Sequence, residues 1–431
     1  MNADNKYYIH SWIYKNVFEY NYEVSSKQKK YSTEFIKNFK YKEDNVFHKA
    51  SKENKNIIVL MVESLSSYQS ELFSGLNNWT PNIDKIANKN IFFTNFIANG
   101  FITEHAEVSI LTGELPILPP NDYSKNENIS FNYFYNIDYS VPNILKSKNY
   151  RTDFITSSDL NFSNTGYWAY SIGFNYSEGS EHKSYEGLKR IHFNAPEDKY
   201  LYKRVLSRAT KKEEPYFIFV KTVSSHVPFI NPETSNRSEE ETIKYIDKQI
   251  GIFYEKLKKT NFFENGMLVI LGDHHPAIPV KEEALSKLGE NKAQALVPMI
   301  ISFGDTKQKK ITEQFQQVDL YNTILYYTGN KYYTNNYKGV YTHKNIISPK
   351  YIFHTRTDNR SLISLFSENG SSNIQLSGDD TNFYEDINYN NEEKKELIDK
   401  INSIRIKNRE KYKYKYTMIS ELGGFPTSVM K

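Results

Sequence analysis

The chain has no cysteine in 431 residues. That excludes a disulfide framework, a thiolate metal site and a cysteine nucleophile. It fits the cytoplasm and equally an exported protein that avoids thiols. No stretch approaches the roughly 20 consecutive apolar residues that cross a bilayer, and the N-terminus has no basic region followed by an apolar run, so no signal peptide is visible. Two placements are then expected: a cytoplasmic protein, or the soluble part of a longer chain. Charge of one sign is also missing, with 55 Lys+Arg against 51 Asp+Glu and a net charge of +4. So small an excess over this length argues against a nucleic-acid binder. Tryptophan is scarce, at three residues, whereas tyrosine reaches 35. With the many Asn and Lys, this reads as an AT-rich coding bias more than a function.

What is present is an alternation of two periodicities. Short apolar runs rich in β-branched and aromatic residues, bounded by Gly, Pro, Asn or Asp, predict strands at 57–62, 91–97, 151–156, 216–223, 267–272 and 296–303. Helical patterns fall at 81–89, 104–112, 141–148, 196–207, 239–259 and 317–328. In the fifth of these, Ile243, Ile246, Ile250, Phe253 and Leu257 form one apolar stripe. Alternating strands and helices predict an α/β fold, a three-layer α/β/α sandwich around a mostly parallel sheet. Residues 160–195, rich in Ser, Asn, Gly and Tyr, read as an excursion above that sheet. Beyond residue 330, the runs Tyr351–Thr355, Ser361–Phe366 and Asn373–Leu376 predict a small antiparallel sheet, and 391–416 a charged helix. The expected organisation is an N-terminal wrapping or linker segment at 1–55, a catalytic domain at 56–330 and a C-terminal α+β subdomain at 331–431. The aromatic tract Tyr7–Tyr20 is either a helix on the domain surface or an element at a membrane interface.

Chemistry concentrates at four places. Glu63 follows the run Asn-Ile-Ile-Val-Leu-Met-Val, and Asp273-His274 follows Met-Leu-Val-Ile-Leu-Gly. Carboxylates just past central strands sit where α/β folds keep their chemistry, and adjacent O and N donors suit a divalent ion. Thr103 opens the helix Glu-His-Ala-Glu-Val-Ser-Ile-Leu-Thr after a strand and a Gly-containing turn. A hydroxyl there is either an N-cap or a nucleophile offered to an anion at a helix N-terminus. His226, in Ser-His-Val-Pro-Phe after the strand at 216–223, is either a satisfied core histidine or a ligand to substrate.

Together these motifs resemble the alkaline phosphatase/sulfatase superfamily, and within it the lipoteichoic acid synthase-like phosphoglycerol transferases. The resemblance runs from about Asn56 to Gly329. It is carried by Glu63-Ser64, Thr80-Pro81-Asn82-Ile83-Asp84, Thr103 with Glu107, Ser225-His226-Val227-Pro228-Phe229, Gly272-Asp273-His274, Val297-Pro298 and Gln317-Val318-Asp319. The formylglycine motif of the sulfatase branch, Cys/Ser-x-Pro-x-Arg, is missing.

The resemblance implies an alkaline phosphatase-like domain at 56–330. It implies one divalent ion, Mn²⁺ or Zn²⁺, on Glu63, Thr103, Asp273 and His274, with Thr103 as the nucleophile and His226 on the phosphate or the leaving group. His275 is a candidate for a substrate contact or a second metal, and Trp168 for a substrate contact. The family's glycerol phosphate-gripping Trp and Arg correspond here to Ser163 and Thr165. The implied partners are a phospholipid donor (phosphatidylglycerol or phosphatidylethanolamine), a glycan acceptor and a membrane surface, at the extracytoplasmic face of the cell membrane. The reaction implied is transfer of the headgroup through a phospho-threonine. The alternatives are a phosphoethanolamine transferase or phosphodiesterase of the same superfamily, and, from another class, a non-catalytic glycan- or membrane-binding module.

Overall fold

The protein is described here from a computed structural model covering residues 55–117, 131, 139–211, 215–304, 308–329, 349–378, 380–384 and 389–421. The expectations for the segment 1–55 and its aromatic tract concern residues that, Lys55 apart, lie outside these.

The first apolar run becomes β1 (Asn56–Val62), and every residue of it is buried. Burial on both faces is the mark of a central strand in a parallel sheet. The main sheet holds eight strands: β1, β2 (Ile91–Phe93), β4 (Arg151–Thr156), β5 (Tyr176–Glu178), β6 (Tyr216–Lys221), β7 (Gly266–Gly272), β8 (Met299–Ser302) and β9 (Lys309–Ile311). Their order is β5-β4-β6-β1-β7-β8-β2-β9. Pairing is parallel except where β8 runs against β7 and β2. A pair of two-residue strands, β3 (Phe96–Ile97) and β10 (Phe315–Gln316), lies beside it.

The run 91–97, expected as one strand, is therefore two. Phe92 and Phe93 belong to the main sheet, and the chain then steps at Thr94-Asn95 to pair with β10. Hydrophobicity is continuous across that step, so periodicity alone gives no sign of it.

Among the described residues, the helices of six residues or more are α1 (Pro81–Ala87), α2 (Thr103–Thr112), α3 (Val141–Lys146), α4 (Thr165–Ser171), α5 (Asp198–Ala209), α6 (Glu239–Lys258), α7 (Glu282–Leu288), α8 (Glu290–Ala295), α9 (Asp319–Tyr327) and α10 (Asn391–Glu421). Alternate strand residues face opposite layers, as the two-residue period of a strand requires. Ile57, Val59 and Met61 of β1 pack with α2, α3 and α9 through Ala106, Ile144 and Leu320. Ile58, Leu60 and Val62 pack with α1, α5 and α6 through Ile83, Leu201 and Ile246. The expected three-layer α/β/α architecture is the one observed.

The C-terminal strands β11 (Ile352–Thr355), β12 (Leu362–Ser367), β13 (Gly370–Ser377) and β14 (Asp380–Phe383) form an antiparallel sheet in sequence order. Leu397 and Ile401 of α10 cover its Phe353, Ile363 and Leu365, and the same cluster takes in Leu115 and Val318 from the main body. Asn99 ties the two sheets further, donating to Phe353 O at 2.9 Å and accepting from Thr355 N–H at 3.0 Å.

Candidate metal and phosphate centre

Strand register brings the two acidic motifs together. In β1 and β7, Val62 stands opposite Gly272, so the next residues, Glu63 and Asp273, leave the sheet side by side. On the other flank Met61 stands opposite Lys221, and Thr222 Oγ1 accepts the Glu63 N–H at 2.9 Å. Gly272 is required by close approach, because a Cβ there would lie 1.8 Å from the Leu65 carbonyl oxygen. Around this point the backbone is heavily tied. Asp273 N–H donates to Val62 O at 3.2 Å, Gln317 Nε2 donates to Asp273 O at 2.6 Å, and Ser225 Oγ donates to Glu63 O.

Glu63, Asp273 and His274 each offer a ligand atom, and the three atoms lie within 4.8 Å of one another. Among the described residues this is the one such group of three. Asp273 Oδ1 accepts from the N–H groups of Ser64 and His274, both at 2.7 Å. Its Oδ2 is buried and accepts no hydrogen bond; it lies 3.4 Å from His274 Nε2. His274 Nδ1 is 2.7 Å from the His275 carbonyl. In the tautomer that donates this bond, Nε2 keeps its lone pair for the site.

The electrostatics point the same way. Burial pushes Glu63 up, but the charges of His274 and His226 and hydrogen bonds from Ser64 and Thr103 outweigh it, and the net direction is down. Asp273 is driven well above the usual carboxylate range by burial and then by the negative charge of Glu63. Two buried carboxylates that compete for one negative charge, with an orphaned oxygen and an imidazole lone pair beside them, are the donor set a divalent cation satisfies.

Thr103 is not the N-cap of its helix. It is the first helical residue of α2, the N-cap position belongs to Ile102, and no side chain caps this end. The Thr103 hydroxyl is turned instead to the acidic group. It donates to Glu63 Oε2 at 3.0 Å and lies 3.4 Å from His274 Nε2. One turn deeper, Glu107 is fully buried against Lys221, whose ammonium is 3.4 Å from its carboxylate. Burial pushes Glu107 up to about 7, against the pull of Lys221.

The remaining expected residues divide. His226 is half-buried, with Nδ1 2.6 Å from Val227 O, and its charge bears on Glu63. His275 is buried beside Tyr68, at 5.3 Å between ring centroids, outside the three-ligand group. Its Nε2 has no hydrogen-bond partner, and burial lowers its pKa to about 4. Trp168 is not brought to a surface where substrate touches it: it is fully buried in the core and stacked on Phe131 at 4.3 Å. The neighbours of Ser163 and Thr165 show how that loop is built, since Thr165 Oγ1 donates to Phe162 O at 2.8 Å and Ser163 adopts a left-handed φ of 51°.

Sequence reading missed His192. It lies in the excursion loop with its ring 5.7 Å from that of His226, and nothing in the local Arg-Ile-His-Phe-Asn pattern marks it.

Comparison with known proteins agrees with this fold. The curated Lipoteichoic acid synthase 2 of Bacillus subtilis (strain 168) is 25% identical over 308 residues, covering 64% of this chain and 45% of that protein. Lipoteichoic acid synthase 1 of the same strain is 22% identical over 323 residues, covering 67% and 48%. The chain thus spans about half the length of these curated relatives. Among solved structures, an alkaline phosphatase superfamily protein from Vibrio parahaemolyticus superposes with a TM-score of 0.69 at 19% identity, covering 92% of this chain and 98% of that one. The lipoteichoic acid synthase LtaP from Listeria monocytogenes gives 0.61 at 18% identity, covering 90% and 98%. The family model described as Sulfatase matches residues 55–330, and with that match over the sheet and all the residues gathered at its edge, the chain belongs to the sulfatase family within the alkaline phosphatase/sulfatase superfamily.

Proposed function

We propose that this protein is a metal-dependent phosphotransferase that moves a phospholipid headgroup of the phosphoglycerol type, by way of a phospho-threonine on Thr103, to a cell-surface glycan. The observation that carries the reading is the Thr103 hydroxyl, free of capping duty, half-buried at the start of α2 and 3.0 Å from Glu63. Similarity to lipoteichoic acid synthases supports the choice of phosphoglycerol over other headgroups, and with it a site of action on the extracytoplasmic side of the membrane. Among the described residues no helix is long and apolar enough to cross a membrane.

Glu63, Asp273, His274 and Thr103 would hold the ion, Mn²⁺ or Zn²⁺. Bound there, it lowers the pKa of a nearby hydroxyl and offsets charge on phosphoryl oxygens. The chain supplies the rest. Glu63 Oε2 already accepts the Thr103 O–H and is positioned to take its proton as Oγ1 attacks phosphorus. The bond from phosphorus to the diacylglycerol oxygen breaks, and that oxygen leaves with the proton Glu63 has taken. The acceptor hydroxyl then attacks phosphorus, the bond to Thr103 breaks, and the acceptor's proton passes by way of Glu63 to the Thr103 oxygen. The N-terminus of α2, with no side-chain cap, would offer first-turn backbone N–H groups to the phosphoryl oxygens. His226 orients the phosphate.

Incubating the protein with Mn²⁺ and vesicles of phosphatidylglycerol or phosphatidylethanolamine, followed by mass spectrometry of the Thr103 peptide, tests the reading. A glycerol phosphate adduct is expected. An ethanolamine phosphate adduct replaces the headgroup assignment, and an unmodified Thr103 under turnover conditions refutes the covalent route.

A further inference from the structure

The excursion loop carries a second imidazole that the mechanism above leaves unused. His192 sits in a single helical turn, His192–Asn194, whose Phe193 and Asn194 have left-handed φ of 48° and 57°. Although it is a loop, it is held firmly. Arg190 donates to the carbonyls of Ser180 at 3.2 Å, Tyr185 at 2.8 Å and Asn194 at 3.1 Å. Ile191 and Ala195 close the turn through backbone bonds of 2.8 Å, and Phe193 O accepts the Asp159 N–H at 2.9 Å. The last bond joins this turn to the loop that carries Phe162, whose ring lies 4.5 Å from that of Phe193.

This turn packs against His226. The edge of Phe193 meets the His226 ring at 4.6 Å, and the His192 ring stands 5.7 Å from His226. Phe162 remains about half exposed, at 48%. His192 Nε2 is buried and has no hydrogen-bond partner. A buried polar atom without a partner is costly, and a rigid loop that keeps one beside a binding site is preorganised for a group that arrives with the ligand. The charges bearing on His192 are those of His226 first and Glu63 second. It therefore belongs to the same site, one step out from the group around Thr103. Burial, followed by the His226 charge, lowers its pKa, so the ring is a neutral donor or acceptor and not a counter-ion.

We propose that His192 is a specificity-determining residue that hydrogen-bonds the hydroxylated part of the headgroup, beyond the phosphate that Thr103 and His226 approach, with Phe162 and Phe193 as the apolar side of the subsite. The assignment of a glycerol-type headgroup rests on the transfer reading above. Position and orphaned nitrogen rest on geometry alone.

The test is binding, not turnover. Full-chain protein in Mn²⁺ is titrated calorimetrically with sn-glycerol-1-phosphate and, separately, with inorganic phosphate, for wild type, His192→Leu and His192→Gln. The Gln amide places an N–H close to Nε2 and serves as the conservative replacement. His192→Leu is expected to weaken glycerol phosphate binding by about ten- to a hundredfold, the range for losing a hydrogen bond to a buried partner, and to leave inorganic phosphate within about twofold. His192→Gln is expected to stay near wild type for both ligands.

The proposal is overturned by unchanged glycerol phosphate binding in His192→Leu. It is also overturned by equal losses for both ligands, which mark a role in building the site, or by no glycerol phosphate binding in wild type. None of these results bears on whether Thr103 becomes phosphorylated, so the two readings fail separately.

Discussion

Replacing Gly272 with alanine probes how tightly the strand ends fix the candidate centre. A Cβ at this position falls 1.8 Å from Leu65 O, 2.9 Å from Leu65 C and 3.1 Å from Val297 Cβ. A carbon–oxygen contact closes to about 3.3 Å at best, so roughly 1.5 Å of movement is needed. Both partners are backbone, and both adjoin ligand residues: Leu65 lies two residues beyond Glu63, and Gly272 immediately precedes Asp273. Overpacking in a well-packed core costs about 1–3 kcal/mol, more when no flexible side chain can yield. The expected loss is therefore about 3 kcal/mol or more, with a fall in Tm on the order of 3–5 °C for a chain of this size.

The same displacement parts Asp273 from Glu63, so Mn²⁺ or Zn²⁺ affinity should fall at least about tenfold, given how steeply a site depends on ligand placement. Thermal melts and a metal titration measure both. Gly187→Ala is the control. That glycine has φ +70°, and a Cβ added there meets nothing within 4 Å, so only the backbone term, about 1 kcal/mol, applies. If Gly272→Ala melts within about 1 °C of wild type and binds metal normally, well inside the shift reasoned above, the register argument for the centre is wrong.

Three further outcomes are expected. Thr103→Ala should remove headgroup release from labelled phosphatidylglycerol by several orders of magnitude while costing only about 1 kcal/mol of stability, the worth of its bond to Glu63; Thr103→Ser should keep part of the activity, and an active Ala variant refutes the nucleophile. Asp273→Ala should abolish stoichiometric metal binding measured by elemental analysis, because it removes the oxygen that has no other partner; retained metal would move the site elsewhere. Glu107→Gln should flatten the pH dependence of stability. With its pKa raised from 4.5 to about 7 in the fold, Glu107 contributes stability that is fully present below about pH 4.5 and lost as pH rises through about 7. Urea midpoints at pH 4.5, 6 and 8 check the sign, and a wild-type slope that survives in the Gln variant assigns the dependence to another group.

Much of the fold was legible because the central strands β1, β6 and β7 are mostly apolar runs with a turn signal near their ends. Arg151–Thr156 was read to the residue, and Asn56–Val62 and Gly266–Gly272 to within one position. What failed were elements too short to carry a period. Tyr176–Glu178, Lys309–Ile311 and the step between Phe93 and Phe96 are held by their neighbours in the sheet and not by their own pattern.

The candidate centre divides in the same way. Sequence alone determined the local setting of the candidate residues: Glu63, Thr103, His226 and Asp273-His274 follow strands or open a helix, and that setting is written in the residues around them. Only the tertiary structure decided their company. The β1–β7 register sets Glu63 beside Asp273, and the helix start at Thr103 leaves its hydroxyl to Glu63 and not to a cap. The packing of Phe131 takes Trp168 into the core. The turn at 192–194, whose shape depends on Arg190 reaching three carbonyls, carries His192 to His226. A sequence fixes what a side chain can do within its own few residues, whereas the distance between side chains on separate strands and loops is set by packing over the whole sheet.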